Sequence, residues 1–138
     1  MGQDELIHRA KEAHRQGELA AAEELYRQVI LVNPDDPDAN HLLGVIHFQR
    51  EEYDTALELI QKAVAVRPEH AATYNNLGSV EKALGRYDDA LDSFTNAIKL
   101  QPDFAEAHNN RGIVYKALGQ LDNAEEAYND AIRYQPDY

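Results

Sequence analysis

Residues 71–104 read AATYNNLGSVEKALGRYDDALDSFTNAIKLQPDF, and this stretch decides the fold. Tyr74, Leu77, Gly78, Glu81 and Leu84 fall at helical spacing, and Gly85 closes the segment where a left-handed cap suits glycine. Tyr87, Ala90, Leu91, Phe94, Ala97 and Ile98 follow the i, i+3, i+4, i+7 rule a second time. Pro102 ends that run, because it lacks an N–H and disfavours helical geometry at Gln101. The stretch therefore predicts two amphipathic helices in a hairpin. Gly78 is expected to face Ala90 and Ala97 and so let the helices approach closely.

The same text recurs on both sides. Pro34, Pro68, Pro102 and Pro136 stand 34 residues apart, as do Ala22, Ala56, Ala90 and Ala124. Tyr26, Ile60, Phe94 and Tyr128 keep the interval, and so do Gly44, Gly78 and Gly112, with Ala10 in the corresponding place of the first repeat. The frames are 3–36, 37–70, 71–104 and 105–138, and only two leading residues fall outside them. Self-similarity at such a period is the signature of a repeat architecture, in which neighbouring units share one core.

The pattern aromatic–x2–Leu–Gly, then Gly–x–Tyr–x2–Ala–x3–Phe–x2–Ala–x4–Pro, resembles the tetratricopeptide repeat. The third frame carries it as Tyr74, Leu77, Gly78, Gly85, Tyr87, Ala90, Phe94, Ala97 and Pro102; the fourth as His108, Gly112, Tyr115, Gly119, Leu121, Ala124, Tyr128, Ala131 and Pro136. The resemblance implies an all-α fold, a right-handed superhelical solenoid of four helix-turn-helix units forming one array over 3–138. It further implies that the first helix of each repeat lines a concave groove through places 2, 5, 6, 9, 12 and 13 of its frame.

Those places hold Asp4, Ile7, His8, Lys11, His14 and Arg15, then Asp38, His41, Leu42, Val45, Phe48 and Gln49. In the second half they hold Ala72, Asn75, Asn76, Ser79, Lys82 and Ala83, then Glu106, Asn109, Asn110, Ile113, Lys116 and Ala117. The expected peptide-binding residues are Asn75, Asn76, Ser79, Lys82, Asn109, Asn110 and Lys116, with His41 and Lys11 toward the N-terminal end. Asparagine is a poor helix-interior residue, but its amide offers an acceptor and two donors for a ligand main chain. Asn76 and Asn110 match the asparagine ladder of O-linked N-acetylglucosamine transferase arms, whereas His8 and Leu42 break it. The Lys/Asn set that clamps acidic chaperone tails is not reproduced at Ile7/Lys11, His41/Val45, Asn75/Ser79 and Asn109/Ile113. Asp38 and Glu106 are expected to repel a carboxylate tail.

Composition narrows the function classes. Thirteen Lys and Arg stand against 25 carboxylates, a net charge of −12, which disfavours phosphate neutralisation and hence nucleic-acid binding. The same balance disfavours an anionic membrane surface, and a basic or neutral partner suits the long-range field better. No cysteine is present, so disulfides, thiolate metal sites and cysteine nucleophiles are excluded. No apolar run is long enough to span a bilayer and no signal peptide is visible at the start, so a cytoplasmic setting is expected.

Of the six histidines, His8, His14 and His41 are expected to share the N-terminal groove. His47 and His108 occupy places that usually hold packing aromatics, and His70 falls in a turn. No metal motif, phosphate loop or nucleophile elbow occurs, so neither catalytic residues, nor a metal, nor a cofactor is expected. Paired acids such as Asp88–Asp89 read as solvated helix faces.

At the ends, Arg9, Ala10 and Ala13 replace larger residues, which makes helix 1 a tolerable cap. Leu118, Tyr128, Ile132, Tyr134 and Tyr138 are expected to leave an apolar patch at the C-terminal repeat. The leading expectation is a scaffold for a protein or peptide partner. Its rivals are a substrate-recruiting fragment of a larger transferase-like enzyme, and a scaffold that self-assembles as a homo-oligomer through the C-terminal repeat.

Overall fold

The computed structural model describes residues 2–138. Eight α-helices and no strand occur among the described residues: α1 (Gln3–Arg15), α2 (Leu19–Val32), α3 (Pro37–Gln49), α4 (Tyr53–Val66), α5 (Ala71–Ala83), α6 (Tyr87–Leu100), α7 (Ala105–Ala117) and α8 (Leu121–Tyr134). The first helix of every frame occupies places 1–13 and the second places 17–30, so the 34-residue period is a period of structure. Each second helix stops two residues before its proline. The intervening residues Asn33, Arg67, Gln101 and Gln135 have left the helical region, with φ from −131° to −145° and ψ from 79° to 88°, as a following proline demands.

The turn between the helices of each hairpin is a left-handed cap at place 15. Gly17, Gly85 and Gly119 adopt φ of 77°, 76° and 77° there, and the second repeat puts Glu51 in the same position at φ 62°. The residue after each cap donates its N–H back to the helix, as from Arg86 to the Glu81 carbonyl at 2.8 Å and from Glu52 to the His47 carbonyl at 2.9 Å. A Cβ at Gly17, Gly85 or Gly119 would meet nothing within 4 Å, so the backbone angle alone selects glycine. Left-handed geometry costs an L-residue roughly 1–2 kcal/mol, partly offset by the freedom glycine adds to the unfolded chain. Glu51→Gly is therefore expected to stabilise the protein by about 0.5–1 kcal/mol. A melting temperature that stays level or falls would refute it.

Chain contacts divide the molecule into two compact units, residues 1–68 and 69–138, each holding two hairpins. In the first, Leu6, Ala10, Ala13, Ala22, Tyr26, Val29, Ala39, Leu43 and Ile46 form the core. In the second, Ala90, Phe94 and Val114 are buried together, with Tyr87 and Leu91 packed against them. Within the units α3 lies against α2 and α7 against α6, the stacking of one hairpin on the next.

The close approach at Gly78 involves a residue that the spacing did not single out. A Cβ built there would fall 2.6 Å from the Phe94 ring, whose atoms are the nearest, so the notch accommodates that ring. Gly44 does the same for Ile60 at 2.6 Å and Gly112 for Tyr128 at 2.7 Å. Tyr128 is consequently half-buried and does not join the exposed C-terminal apolar residues. Leu118, Ile132, Tyr134 and Tyr138 are exposed as expected, and Leu121 is exposed with them.

His47 and His108 are buried packing residues with polar tethers. Arg27 donates to His47 Nε2 at 3.2 Å, which requires the His47 proton on Nδ1, where it reaches Glu52 Oε1 at 3.2 Å. His108 Nε2 donates to the Pro102 carbonyl at 2.8 Å, and the Asn40 amide at the same place of the second repeat donates to the Pro34 and Asp36 carbonyls at 2.9 Å each. A polar side chain at place 4 thus anchors the start of its hairpin to the end of the preceding one. Glu81, also buried, accepts from Ser93 Oγ at 2.5 Å, and burial pushes its carboxyl above the usual range.

Candidate functional site

In the second unit α5 and α7 lie side by side, and their groove places form one polar face. The four asparagines there take two different roles. Asn75 and Asn110 are buried, and Asn110 Nδ2 donates to Asn75 Oδ1 at 3.2 Å. Lys82 Nζ donates to Asn110 Oδ1 at 3.3 Å, continuing the chain toward solvent. Ser79 Oγ turns back to the Asn75 carbonyl at 3.0 Å. Asn76 and Asn109 flank this chain and are only half-buried, while Lys116 is exposed. Burial holds the Lys82 ammonium below its ordinary pKa, and Glu106 opposes the shift.

In the first unit His41 is buried and Lys11 half-buried. Lys11 Nζ lies 3.2 Å from Asp38 Oδ2, and Arg67 donates to Asp38 Oδ1 at 2.9 Å. Burial works against the Asp38 carboxylate, yet Arg67 and Lys11 hold its pKa below the usual range. Asp38 is therefore a neutralised acid and not the free charge that would repel an anionic ligand. This cluster joins residues 27 and 29 apart in sequence, and no local pattern announces it.

Of the histidines expected to share the N-terminal groove, His14 and His8 line different clefts. His14 is half-buried beside Tyr26, with Nδ1 3.4 Å from Tyr26 Oη and the rings edge-to-face at 6.1 Å. Burial pulls the His14 pKa down and pushes that of Tyr26 up to about 12. His8 is exposed and lines a different cleft with Arg9, Glu12 and Glu18. Among the described residues no group of three or more His, Asp or Glu converges as a metal site. Nor is any helix long and apolar enough to cross a membrane.

Charge is partitioned between the two helix sets. The second helices of the hairpins carry eleven carboxylates against four cations, whereas the first helices carry six of each. Places 5, 6, 9, 12 and 13, taken over all four frames, hold Lys11, Arg15, Lys82 and Lys116 and not one of the 25 carboxylates. The acids of the first-helix face stand at place 2, as Asp4, Asp38 and Glu106.

Paired helices repeating at 34 residues, with two hairpins packed together in each unit, define a helical-hairpin repeat scaffold. Tetratricopeptide-repeat models match residues 8–71 and 105–138, and a TPR-repeat model matches residues 78–119. The chain belongs to the tetratricopeptide-repeat family. A crystal structure of MamA has a TM-score of 0.89 at 24% identity, over 99% of this chain and 80% of that one. MamA from Desulfovibrio magneticus RS-1 has a TM-score of 0.87 at 18% identity, over 99% and 77%. These two likenesses concern the fold alone. A mutant O-GlcNAc transferase from Thermobaculum terrenum has a TM-score of 0.78 at 34% identity, over 82% of this chain but only 22% of the transferase. No curated protein matches the sequence.

Proposed function

We propose that this protein is a binding scaffold that holds an extended protein or peptide segment on its first-helix faces, the four repeats over 3–138 serving as one array. Asn76, Ser79, Lys82, Asn109 and Lys116 are the ligand contacts of the second unit and Lys11 of the first. Asn75, Asn110 and His41 act from below, holding the contact residues in place. The observation that carries this reading is that groove places 5, 6, 9, 12 and 13 hold four cations and no carboxylate, the acids Asp4, Asp38 and Glu106 being confined to place 2. Scaffolding of this kind calls for no catalytic group and no cofactor, and the cysteine-free composition suits the cytoplasm.

The test is a comparative capture of partners. Asn76→Ala, Asn109→Ala and Lys116→Ala together are expected to abolish capture of proteins retained by the native chain. The outward-facing trio Asp88→Ala, Glu125→Ala and Glu126→Ala is expected to leave them in place. Equal losses from both trios, or from neither, would refute the assignment.

Two further readings have particular support. The 34% identity to a transferase over 82% of this chain favours a substrate-recruiting arm of a larger enzyme. A coding sequence that runs beyond Tyr138 into a transferase fold would bear that out, and a stop codon after Tyr138 would remove it. The exposed Leu118, Leu121, Ile132, Tyr134 and Tyr138 favour self-association through the C-terminal repeat. A strict monomer at high concentration by light scattering would exclude it.

A further inference from the structure

We infer that a cleft in the first unit is a subsite for an acidic peptide segment, taking an aliphatic or aromatic side chain on its floor and adjacent carboxylates at its rim. The cleft measures about 340 Å³ and is lined by Lys11, His14, Arg15, Tyr26 and Leu42. This inference rests on the reading of the first-helix face as the ligand face and specifies the partner's chemistry.

Its floor is apolar: Leu42 is half-buried, and Tyr26 is part of the core with its hydroxyl directed toward His14. Its rim is basic, with Lys11 and Arg15 on successive turns of α1. No carboxylate lines it, although acids outnumber cations nearly two to one in the chain. Two other clefts differ in this respect. The one beneath α1 and α2 includes Glu12 and Glu18, and the one along α8 is lined by Asp122, Glu125, Glu126 and Asp130 with only Arg133 opposing.

The acids nearest the rim are already committed. Asp38 is shared by Lys11 and Arg67, a trio with one positive charge in excess, and Glu12 is engaged by Arg15 one turn away. An incoming carboxylate therefore meets surplus positive charge, and an apolar side chain between two such carboxylates covers Leu42. A polar neutral segment gains only the second contact, and a basic one is repelled. The long-range field of the whole chain favours a basic partner, but that field arises mainly from the second helices, and at contact distance the local cations dominate.

The probe is a fluorescein-labelled octapeptide alternating glutamate and leucine, with a central phenylalanine, titrated with the full chain and followed by anisotropy. Binding is expected, weakened by salt, and weaker by roughly tenfold or more for the glutamine-for-glutamate peptide, since charge-assisted contacts are about twice as strong as neutral ones. Arg15→Ala and Leu42→Gln are each expected to weaken it several-fold, while Lys62→Ala on α4 leaves it unchanged. Arg15 is exposed and its removal does not touch the core, so loss of folding does not confound that variant. Absent binding, equal binding of the glutamine peptide, or insensitivity to both cleft substitutions would overturn the inference. Binding that responds to Asn76→Ala and Asn109→Ala but not to Arg15→Ala or Leu42→Gln would overturn it and leave the scaffold reading intact. Self-association of the chain that disappears with Leu42→Gln would assign the cleft to a second copy instead.

Discussion

Phe94→Ala is expected to cost about 3–5 kcal/mol, the range for deleting a buried aromatic side chain when its surroundings cannot collapse. Phe94 is fully buried in the second unit, with Gly78 against its ring and Ala90, Val114, Tyr87 and Leu91 around it. Gly78 and Ala90 have no side chain long enough to reach into the space, so much of the void persists. Against a total stability of roughly 5–15 kcal/mol the loss is large, and it should appear as a lowered urea midpoint with early exchange of α5 and α6 amides. The notch supplies a sharper test. Gly78→Ala alone places a methyl 2.6 Å from a ring carbon and is expected to destabilise. In the Phe94→Ala background the same methyl fills part of the void and is expected to stabilise. A substitution that changes sign with its neighbour is the mark of direct contact. Additive effects would mean that the ring does not occupy the notch.

Asn110→Ala is the second large effect, at about 1–3 kcal/mol. The substitution leaves the buried Asn75 Oδ1 without the donor 3.2 Å away and the half-buried Lys82 ammonium without the acceptor 3.3 Å away. Removing one member of a buried polar pair is costlier than removing both, so Asn75→Leu combined with Asn110→Leu should recover part of the loss. Asn109→Ala, one residue earlier, should change stability by less than about 0.5 kcal/mol, as surface substitutions do. The contrast is measured by chemical denaturation. Equal costs at 109 and 110 would mean that the buried pair adds no more stability than a half-buried asparagine does.

The helical hairpins were legible because they follow from backbone rules that repeat: apolar periodicity, a proline at the end of each second helix and a left-handed cap between helices. Place 15 shows how far such a rule reaches. Gly85 could be read as the cap from its own segment, while Glu51 shows that the fold imposes the conformation even without glycine. That the Phe94 ring lies nearest Gly78 was not legible, because several residues share the facing helix and only depth decides which neighbour reaches a notch. The repeats nonetheless held the clue, since the large residue at place 24 changes from Tyr26 to Ile60 to Phe94 to Tyr128 opposite Ala10, Gly44, Gly78 and Gly112.

The site was less legible. Adjacent asparagines on a helix differ by about a third of a turn, and which one is buried depends on the residue across from it. In α5 it is the first of the pair, Asn75, and in α7 the second, Asn110. Lys11 stands on α1, Asp38 on α3 and Arg67 just past the end of α4, and their union is a property of packing that no window of sequence contains.

The partition of charge between first and second helices bears on how this protein is handled at a bench. On an anion-exchange resin each unit would settle on its second helices and leave the first-helix face in solution. Amine coupling would do the reverse. Three of the five lysines, Lys11, Lys82 and Lys116, stand on the first-helix face, and a sensor surface that attaches through them would mask the region it is meant to interrogate.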